Sequence, residues 1–473
     1  MNKDWSYDGV MARKIETMKS AVGIDYKSFE SGGIAFDYER MMKETGYTLD
    51  EMKSIQGNHG VGNTPLLELK NLTMVSRKIA QKGLGARIFI KDEASNPSGS
   101  FKARRAANAV YHAKKLGYKG VIAATSGNYG AAVASQAAMH GLKCIIVQEC
   151  YDSEGKGQPE IIEKARKCEA YGAEVVQLSV GPELFYIFLK LLEETGYFNA
   201  SLYTPFGIAG VETLGYELAM QFRERIGRDP DVVVCTNAGG GNVTGTARGL
   251  IKADAKSLIV GASVNLQGLH MASDRQFNRK SFTTGHTGFG IPFSTWPDRS
   301  DVPRSAARPL RYLDRYVTVS QGEVFYMTEA LAQIEGLERG PAGNIALAAA
   351  FSIAQEMDEN KIIVVQETEY TGAGKHIQPQ LSFARDNEIE ILFGNPVDEI
   401  PGKNIIFPSH PNLIKAKDID LLKLKKSYIR NCFDFNKSSN ITSEDVKFLG
   451  QDSKSSMDFV MGCLKEIGVV VQR

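Results

Sequence analysis

Short apolar runs alternate with helix-like stretches through the middle of the chain. The runs that predict strands lie at 86–93, 120–126, 143–149, 173–179, 231–237, 257–264 and 361–367. Helix-like stretches at 100–116, 130–141 and 158–172 separate the first four of these runs. Continuous apolar runs are typical of strands buried on both faces, and strand–helix alternation is typical of parallel sheets. The pattern therefore predicts an α/β fold built from doubly wound, open parallel sheets.

The two ends of the chain lack this clear alternation of apolar runs and helix-like stretches. Residues 1–56 are charged and helix-like, which predicts an N-terminal helical extension that packs on the body or on a partner. The pattern weakens again after about residue 400, so 401–473 is expected to be a C-terminal extension. Within it, "KAKDIDLLKLKKSYIRN" (415–431) predicts an amphipathic helix with a solvated basic face. A contact with a phosphorylated ligand or a partner subunit is the alternative for that face.

Charge and cysteine content exclude several classes of protein. The 473 residues include 56 Lys and Arg against 55 Asp and Glu, and this balance argues against nucleic-acid binding. No apolar run is long enough to span a membrane, and the first residues lack an apolar signal core. The six cysteines form no C-x-x-C pair, so we expect neither disulfides nor a metal site, and a reducing cytoplasm.

The stretch "SFKARRAANAV" (100–110) places a lysine, Lys102, at the start of a predicted helix. The positive end of the helix dipole disfavours a cation there by a few tenths of a kcal/mol. Either the side chain points into water, or its amine is used in a covalent bond and is not kept as a free ammonium.

Two other loops follow predicted strands and open helices. In "TNAGGGNVTGTARGL" (236–250), consecutive glycines leave backbone N–H groups open at a helix start, which suits a phosphate. In "ATSGNYGAAVA" (124–134), hydroxyl, amide and backbone donors suit a carboxylate. Taken alone, the first loop also fits a tight turn and the second an ordinary helix cap.

Together the three features indicate one ligand. The lysine and both loops follow strands, at the edge where open α/β sheets bind ligands. A phosphorylated aldehyde that reacts with an amino acid would use all three: the aldehyde takes the amine of Lys102, the phosphate takes the glycine loop, and the amino-acid carboxylate takes the other loop.

With these motifs the sequence resembles the pyridoxal-phosphate enzymes of fold type II, such as threonine synthase and the β chain of tryptophan synthase. The resemblance rests on "GNTPLLEL" (62–69), "KDEASNPSGSFKAR" (91–104), "TSGNYGAAVA" (125–134), "NAGGGNVTGTARG" (237–249) and "EGLERGPAGNIALAAA" (335–350). It implies pyridoxal 5'-phosphate as cofactor and two doubly wound domains. The large cofactor-binding domain would be 57–99 with 213–400, and the small domain 100–212.

The resemblance also assigns roles to individual residues. Lys102 would be the catalytic lysine that carries the cofactor as a Schiff base, and Asn128 would bond the cofactor's ring oxygen. The phosphate would be bound by Gly239, Gly240, Gly241 and Asn242. The substrate carboxylate would be bound by Thr125, Ser126, Gly127 and Tyr129.

Two positions depart from the family pattern. The family often has an acidic residue after the lysine, where this chain has Ala103. The family's last strand is usually followed at once by a Ser or Thr that faces the pyridine nitrogen, but here "VVQETEYTGAGK" (364–375) inserts acidic residues. The motif favours Thr371 as that partner, and Glu367 is the rival.

Within the family, the long N-terminal extension and "SFKARRAANAVYHAKKLGYKG" (100–120) are most similar to subunits that act as thiolases in amino-acid breakdown. That similarity implies cleavage of a small amino-acid substrate with coenzyme A, a small α subunit as partner, and a homodimeric core within a hetero-oligomer. The alternatives are a stand-alone threonine-synthase-like lyase or replacement enzyme, and a degenerate scaffold that only binds a metabolite. The histidines form no motif; His286, in "TTGHTGFG" (283–290), is the first we would mutate.

Overall fold

The fold was analysed in a computed structural model. It describes residues 3–125, 127–152, 154–157, 159–181, 183–201, 203–266, 302–370, 377–436 and 441–471. Its strands are β1 (Leu66–Glu68), β2 (Arg87–Asp92), β3 (Gly120–Thr125), β4 (Lys143–Tyr151), β5 (Glu174–Ser179), β6 (Phe198–Asn199), β7 (Val232–Thr236), β8 (Leu258–Val264), β9 (Arg315–Val319), β10 (Ile362–Glu367), β11 (Glu390–Gly394), β12 (Asn404–Pro408) and β13 (Lys417–Asp418).

The α-helices lie between these strands and at both ends of the chain. They are α1 (Tyr7–Ala12), α2 (Lys14–Val22), α3 (Tyr38–Lys43), α4 (Leu49–Gly57), α5 (Lys70–Ile79), α6 (Lys102–Lys115), α7 (Asn128–His140), α8 (Pro159–Ala170), α9 (Glu183–Thr195), α10 (Pro205–Ile226), α11 (Gly241–Lys252), α12 (Gln321–Glu335), α13 (Pro341–Ala354), α14 (Gln378–Arg385), α15 (Leu421–Asn436), α16 (Ser443–Asp452) and α17 (Met457–Glu466). None of the described helices is both long and apolar enough to cross a membrane.

Two sheets organise the described residues. The larger has the order β1-β2-β10-β7-β8-β9-β13, with antiparallel strands at its two edges and parallel pairing between them. The smaller has the order β5-β4-β3-β6 and is parallel throughout. Parallel strands joined through helices confirm the predicted α/β class.

Both faces of the larger sheet are covered, as its sequence predicts. On β7, Val233 and Cys235 enter one hydrophobic core while Val232 and Val234 enter the core on the opposite face. Successive side chains on a strand point to opposite faces, so a strand buried on both sides must be apolar at every position. The second core is closed by α5, α12 and α13, including the alanine-rich face of α13.

The two extensions pack on the body of the protein. Phe29 and Met41 from the N-terminal segment share the first core of the large sheet with Tyr428 and Leu449 from the C-terminal segment. In α15 the lysines at 423 and 426 are exposed while Leu424, Tyr428 and Ile429 are buried. The predicted amphipathic helix with a basic outer face is therefore present. It spans Leu421–Asn436, whereas the sequence placed it over 415–431.

Two predicted domain boundaries fall within structural units. The boundary between 212 and 213 lies inside α10, which runs without a break from Pro205 to Ile226. The boundary between 400 and 401 separates β11 from β12, which pair with each other as a parallel two-stranded sheet. The C-terminal segment also adds β13 to the edge of the large sheet. We therefore propose that the last unit begins after β13.

Candidate active site

Lys102 is the first residue of α6, and its side chain is only 23% exposed. Its Nζ atom lies 3.5 Å from Oε2 of Glu369 and 5.0 Å from the centre of the Phe101 ring. The amine therefore faces a buried carboxylate, which offsets the unfavourable helix dipole. The alternative of a lysine that simply points into water is not what the structure shows.

The surroundings of Lys102 make its amine unusually easy to deprotonate. Burial lowers the pKa of Lys102 to about 8, against the carboxylate of Glu369, which raises it. A larger fraction of the amine is therefore neutral near neutral pH than for an ordinary lysine. A neutral amine is the form that attacks a carbonyl carbon.

The residues beside Lys102 fix α6 in position. Arg104 is fully buried, and its guanidinium donates to Oε2 and Oε1 of Glu93 at 2.7 and 2.8 Å and to Glu217 at 3.1 Å. Ala103 is buried in a small apolar cluster with Val61. An acidic residue at this position, which the family often has, would be buried in this chain.

The glycine loop between β7 and α11 needs its glycines. Gly240 has a φ of +83°, a conformation that side chains strongly disfavour. A Cβ at Gly239, Gly240 or Gly241 would collide with Tyr203, Pro309 or Arg105, respectively. The backbone N–H groups at the start of α11 are thus left open in the arrangement that binds a phosphate.

Arg105 is a site residue that sequence reasoning missed. It is buried, its guanidinium lies beside Gly241, and its Cζ is 5.2 Å from the centre of the Phe101 ring. A buried cation beside the glycine loop adds charge complementarity for a phosphate. Its position three residues after Lys102, and so one turn along the same face of α6, was the available signal.

The second loop follows strand β3 and opens helix α7, as the sequence predicts. Thr125 Oγ1 accepts a hydrogen bond from the Gly127 N–H at 3.0 Å. Tyr129 is buried in the core of the small domain and donates its hydroxyl to the Ala200 carbonyl at 2.6 Å. A substrate contact through that hydroxyl would break this bond, so the backbone N–H of Tyr129 is the group left for the predicted role. Ser126 lies outside the described residues.

A cation from α8, Lys164, reaches this loop and was also missed from sequence. Its Nζ would lie 3.5 Å from a Cβ at Gly127. Lys164 is buried and ion-paired with Glu160, whose other oxygen accepts from Gln380 at 3.3 Å. Burial would lower the pKa of Lys164, but the charges of Glu160 and Glu369 outweigh it and raise the pKa. Lys164 is therefore protonated beside this loop, where Glu160 is its ion-pair partner.

Asn128, which the resemblance assigns to the cofactor's ring oxygen, is the first residue of α7, and Asn242, which it assigns to the phosphate, is the second residue of α11. Asn128 Nδ2 donates to Oε2 of Glu369. Asn242 Nδ2 donates to Gln366 and, at 3.1 Å, to the Thr236 carbonyl. Oδ1 of Asn242 is buried and has no hydrogen-bond partner among the described residues. An amide oxygen only accepts hydrogen bonds, so a phosphate at this loop would need the backbone N–H of Asn242 and not this atom.

Two residues are candidate partners for the pyridine nitrogen, and only Glu367 lies among the described residues. Its carboxyl is buried against Gly343, and Oε1 accepts from the Glu369 N–H at 3.5 Å. Burial raises the pKa of Glu367 well above its usual value, and the negative charge of Asp92 raises it further. Thr371 lies outside the described residues, as does His286, and the choice between Thr371 and Glu367 stays a prediction.

The residues present fit pyridoxal 5'-phosphate. A low-pKa amine, a glycine loop with a buried arginine beside it, and a cationic carboxylate loop converge at the carboxyl ends of parallel strands. The sequence belongs to the pyridoxal-phosphate dependent enzymes, whose family model matches residues 58–369, more than half of the chain.

Individual relatives show which members of this enzyme family the chain is similar to. The chain is 75% identical over 467 residues to the 2-amino-4-ketopentanoate thiolase beta subunit of Acetoanaerobium sticklandii, covering 99% of this chain and 100% of the relative. It is 65% identical over 470 residues to a beta subunit of the same name from an unknown prokaryotic organism, again covering 99% and 100%. It is 32% identical over 191 residues to threonine synthase of Halalkalibacterium halodurans, covering 40% of this chain and 49% of that one.

A solved structure gives the same fold. Maize serine racemase superposes with a TM-score of 0.52 at 21% identity, covering 71% of this chain and 98% of that one. The predicted fold class and cofactor are confirmed by these comparisons.

Proposed function

We propose that this chain is the β subunit of a 2-amino-4-ketopentanoate thiolase. With a small α subunit, it would cleave 2-amino-4-oxopentanoate with coenzyme A to acetyl-CoA and D-alanine. The observation that carries this is the 75% identity over essentially the whole of both chains. Such identity includes the two extensions, which lie outside the residues matched by the general family model.

The residues of the site have distinct tasks in that reaction. When bound, pyridoxal 5'-phosphate supplies an electron sink that stabilises negative charge on carbons next to the substrate's amino group. The glycine loop and Arg105 would hold its phosphate. Lys164 and the loop at 125–129 would hold the substrate carboxylate. Lys102, released when substrate binds, would be the base that removes the proton from the α-carbon and returns it.

A stand-alone threonine-synthase-like lyase or replacement enzyme is the second candidate. Its support is the 32% identity to threonine synthase, which covers only 40% of this chain. Both candidates use the same cofactor residues, so the cofactor site does not distinguish them. The distinguishing property is the need for coenzyme A and for a partner subunit.

The assembly and location belong to the same proposal. A homodimer of this chain would form the core of a hetero-oligomer with the α subunit, in the cytoplasm. Neither nucleic acid nor a membrane has a part in it. The mass of the complex purified from co-expressed subunits, measured by light scattering, tests this stoichiometry.

The function is tested by product analysis with purified subunits. The chain is incubated with 2-amino-4-oxopentanoate and coenzyme A, with and without the α subunit, and acetyl-CoA and the chirality of alanine are measured. We expect both products in equal amounts from the assembled enzyme and none from Lys102→Ala. Turnover of the substrate without coenzyme A, giving other products, would favour the lyase.

A further inference from the structure

We propose that Glu369 is a second catalytic residue, which takes the proton from the coenzyme A thiol and delivers it to C3 of the substrate. This inference rests on the proposed thiolase function. It assigns to Glu369 a proton transfer that Lys102, occupied with the α-carbon, does not perform.

The balance of the reaction requires such a group. A bond forms between the thiol sulfur and the carbonyl carbon C4, and the C3–C4 bond breaks. The electron pair of the broken bond becomes a new C3–H bond, and C3 becomes the methyl carbon of alanine. The thiol loses one proton and C3 gains one, so a single carboxylate that accepts the first and donates the second closes the cycle without another reactant.

The position of Glu369 suits this transfer. Its Oε2 lies 3.5 Å from Nζ of Lys102, which must reach the α-carbon. C3 is bonded to that carbon, so a group beside Lys102 is also within reach of C3. The side chain is only 3% exposed, so its carboxylate is buried beside the Lys102 amine.

The hydrogen bonding of Glu369 leaves one oxygen available. Oε2 accepts from Asn128, whereas Oε1 has no hydrogen-bond partner among the described residues. Nζ of Lys164 lies 3.9 Å from Oε1. A buried carboxylate oxygen with an open lone pair beside the reactive lysine is placed to accept a proton from a ligand.

The other buried carboxyl groups around the site are less suited. Glu160 is held by Lys164 and Gln380. Burial raises the pKa of Glu367, which favours its protonated form. Burial would likewise raise the pKa of Glu369, but the charges of Lys164 and Lys102 outweigh it and lower the pKa. Glu369 is therefore ionised at neutral pH, and its ability to accept a proton rests on its position beside Lys102 and its open oxygen.

The test measures hydrogen–deuterium exchange at C2 and at C3 of alanine separately. D-Alanine and, separately, L-alanine are incubated in D₂O with the cofactor-loaded complex of both subunits, and deuterium at C2 and C3 is measured by NMR. In Glu369→Gln we expect C3 exchange to fall by about 10²–10⁴-fold while C2 exchange changes by less than about tenfold. Glu369→Asp, which keeps a carboxylate, should recover part of the C3 exchange. Glu16→Gln, the same change on an exposed position of α2, should match the wild type at both carbons.

The possible failures are distinct. Equal C3 exchange in the wild type and Glu369→Gln overturns the proposal, as does an equal loss at C2 and C3, which would mean that Glu369 only positions Lys102. Absence of C3 exchange in the wild type also overturns it. Failure of the thiolase function appears separately, as the absence of acetyl-CoA from 2-amino-4-oxopentanoate in the wild-type complex.

Discussion

At the scale of single residues, the chemistry of the site depends on which charges surround the Lys102 amine. Its carboxylate neighbour Glu369 comes from the end of the large sheet, and its cationic neighbour Lys164 comes from the small domain. The pKa of the amine is thus shifted by groups that are far from it in the chain. This explains its lowered pKa and its suitability as an attachment point for an aldehyde.

Covalent attachment of the cofactor is predicted to be lost in Lys102→Ala. Reduction of the wild-type protein with borohydride, followed by peptide mapping, should place the label on Lys102, because this amine is partly deprotonated and lies at the site. Lys167→Ala is the matched control, since Lys167 donates to the Ser98 carbonyl at 2.8 Å and should not affect labelling. A label on any other lysine contradicts the assignment.

The partner of the pyridine nitrogen can be identified by comparing two variants. We predict that Thr371 is the partner. Thr371→Val should then cost about 1–3 kcal/mol, because the hydrogen bond to the pyridine nitrogen is lost and this buried polar group is left unpaired. Glu367→Gln should then have little effect on the cofactor spectrum. The rate of α-deuterium exchange of alanine measures both variants. A larger defect in Glu367→Gln would instead assign a charge-assisted pair to Glu367.

Sequence reasoning pointed to candidate residues in contiguous motifs and did not point to those that the fold brings beside them. Lys102, Asn128 and the glycine loop each sit in a recognisable stretch with its own chemistry. Arg105 and Lys164 lie on helices and Glu369 lies just after β10; each is an ordinary charged residue in the sequence and would normally be expected to be solvent-exposed. Only the meeting of the two sheets buries them around one amine, and such long-range contacts leave no local pattern.

At the scale of elements, the strand-to-helix turns carry the ligand contacts. The loop into α11 is held open by glycines backed against Tyr203, Pro309 and Arg105. The predicted runs correspond to strands β2, β3, β4, β5, β7, β8 and β10. The missed strands include the two-residue β6 and β13 and the five-residue β9, which lies between β8 and β13 in the large sheet. Their pairing depends on neighbours more than on their own apolar content.

Gly240→Asp is predicted to weaken cofactor binding by about 2 kcal/mol or more, because it strains the φ of +83° and adds a carboxylate beside a phosphate. Equilibrium dialysis of pyridoxal 5'-phosphate against the apoprotein measures the change. Gly462→Asp is the control, since Gly462 lies on an exposed part of α17 with open space around it. Unchanged affinity in Gly240→Asp would move the phosphate site elsewhere.

At the scale of the whole molecule, the two extensions are joined to each other on one face of the large sheet. Asp445, at the start of α16, accepts from the N–H groups of Ile34 and Ala35 at 2.8 and 2.7 Å and from the Thr442 N–H at 2.8 Å. One carboxylate therefore connects segments more than 400 residues apart in the chain. The two extensions lie outside the residues matched by the family model, and this contact helps to join them in the first core of the large sheet.

Loss of the Asp445 carboxylate is predicted to destabilise the protein. Asp445→Asn should lower the free energy of unfolding by about 1–3 kcal/mol, measured by urea denaturation, because charged acceptors bond backbone N–H groups more strongly than neutral ones. Asp458→Asn, at an exposed position, should change it little.

The same contact predicts a pH dependence. Burial would raise the pKa of Asp445, but the backbone N–H groups of Thr442, Ile34 and Ala35 lower it below its ordinary value. The stabilisation is therefore complete above the unfolded-state pKa of about 3.9 and is lost as the pH falls through the lower folded-state pKa. A stability difference between wild type and Asp445→Asn that persists below both values would contradict this account.

The measurement that tests the central claim most directly is isotope tracing of the cleavage. The assembled complex of this chain and the α subunit is given coenzyme A and 2-amino-4-oxopentanoate carrying ¹³C at C4, and the products are followed by NMR. The thiolase account predicts that the label appears as the thioester carbonyl of acetyl-CoA, with none in alanine, and that Lys102→Ala abolishes both products. Label retained in a five-carbon product, or released without forming a thioester, would contradict it.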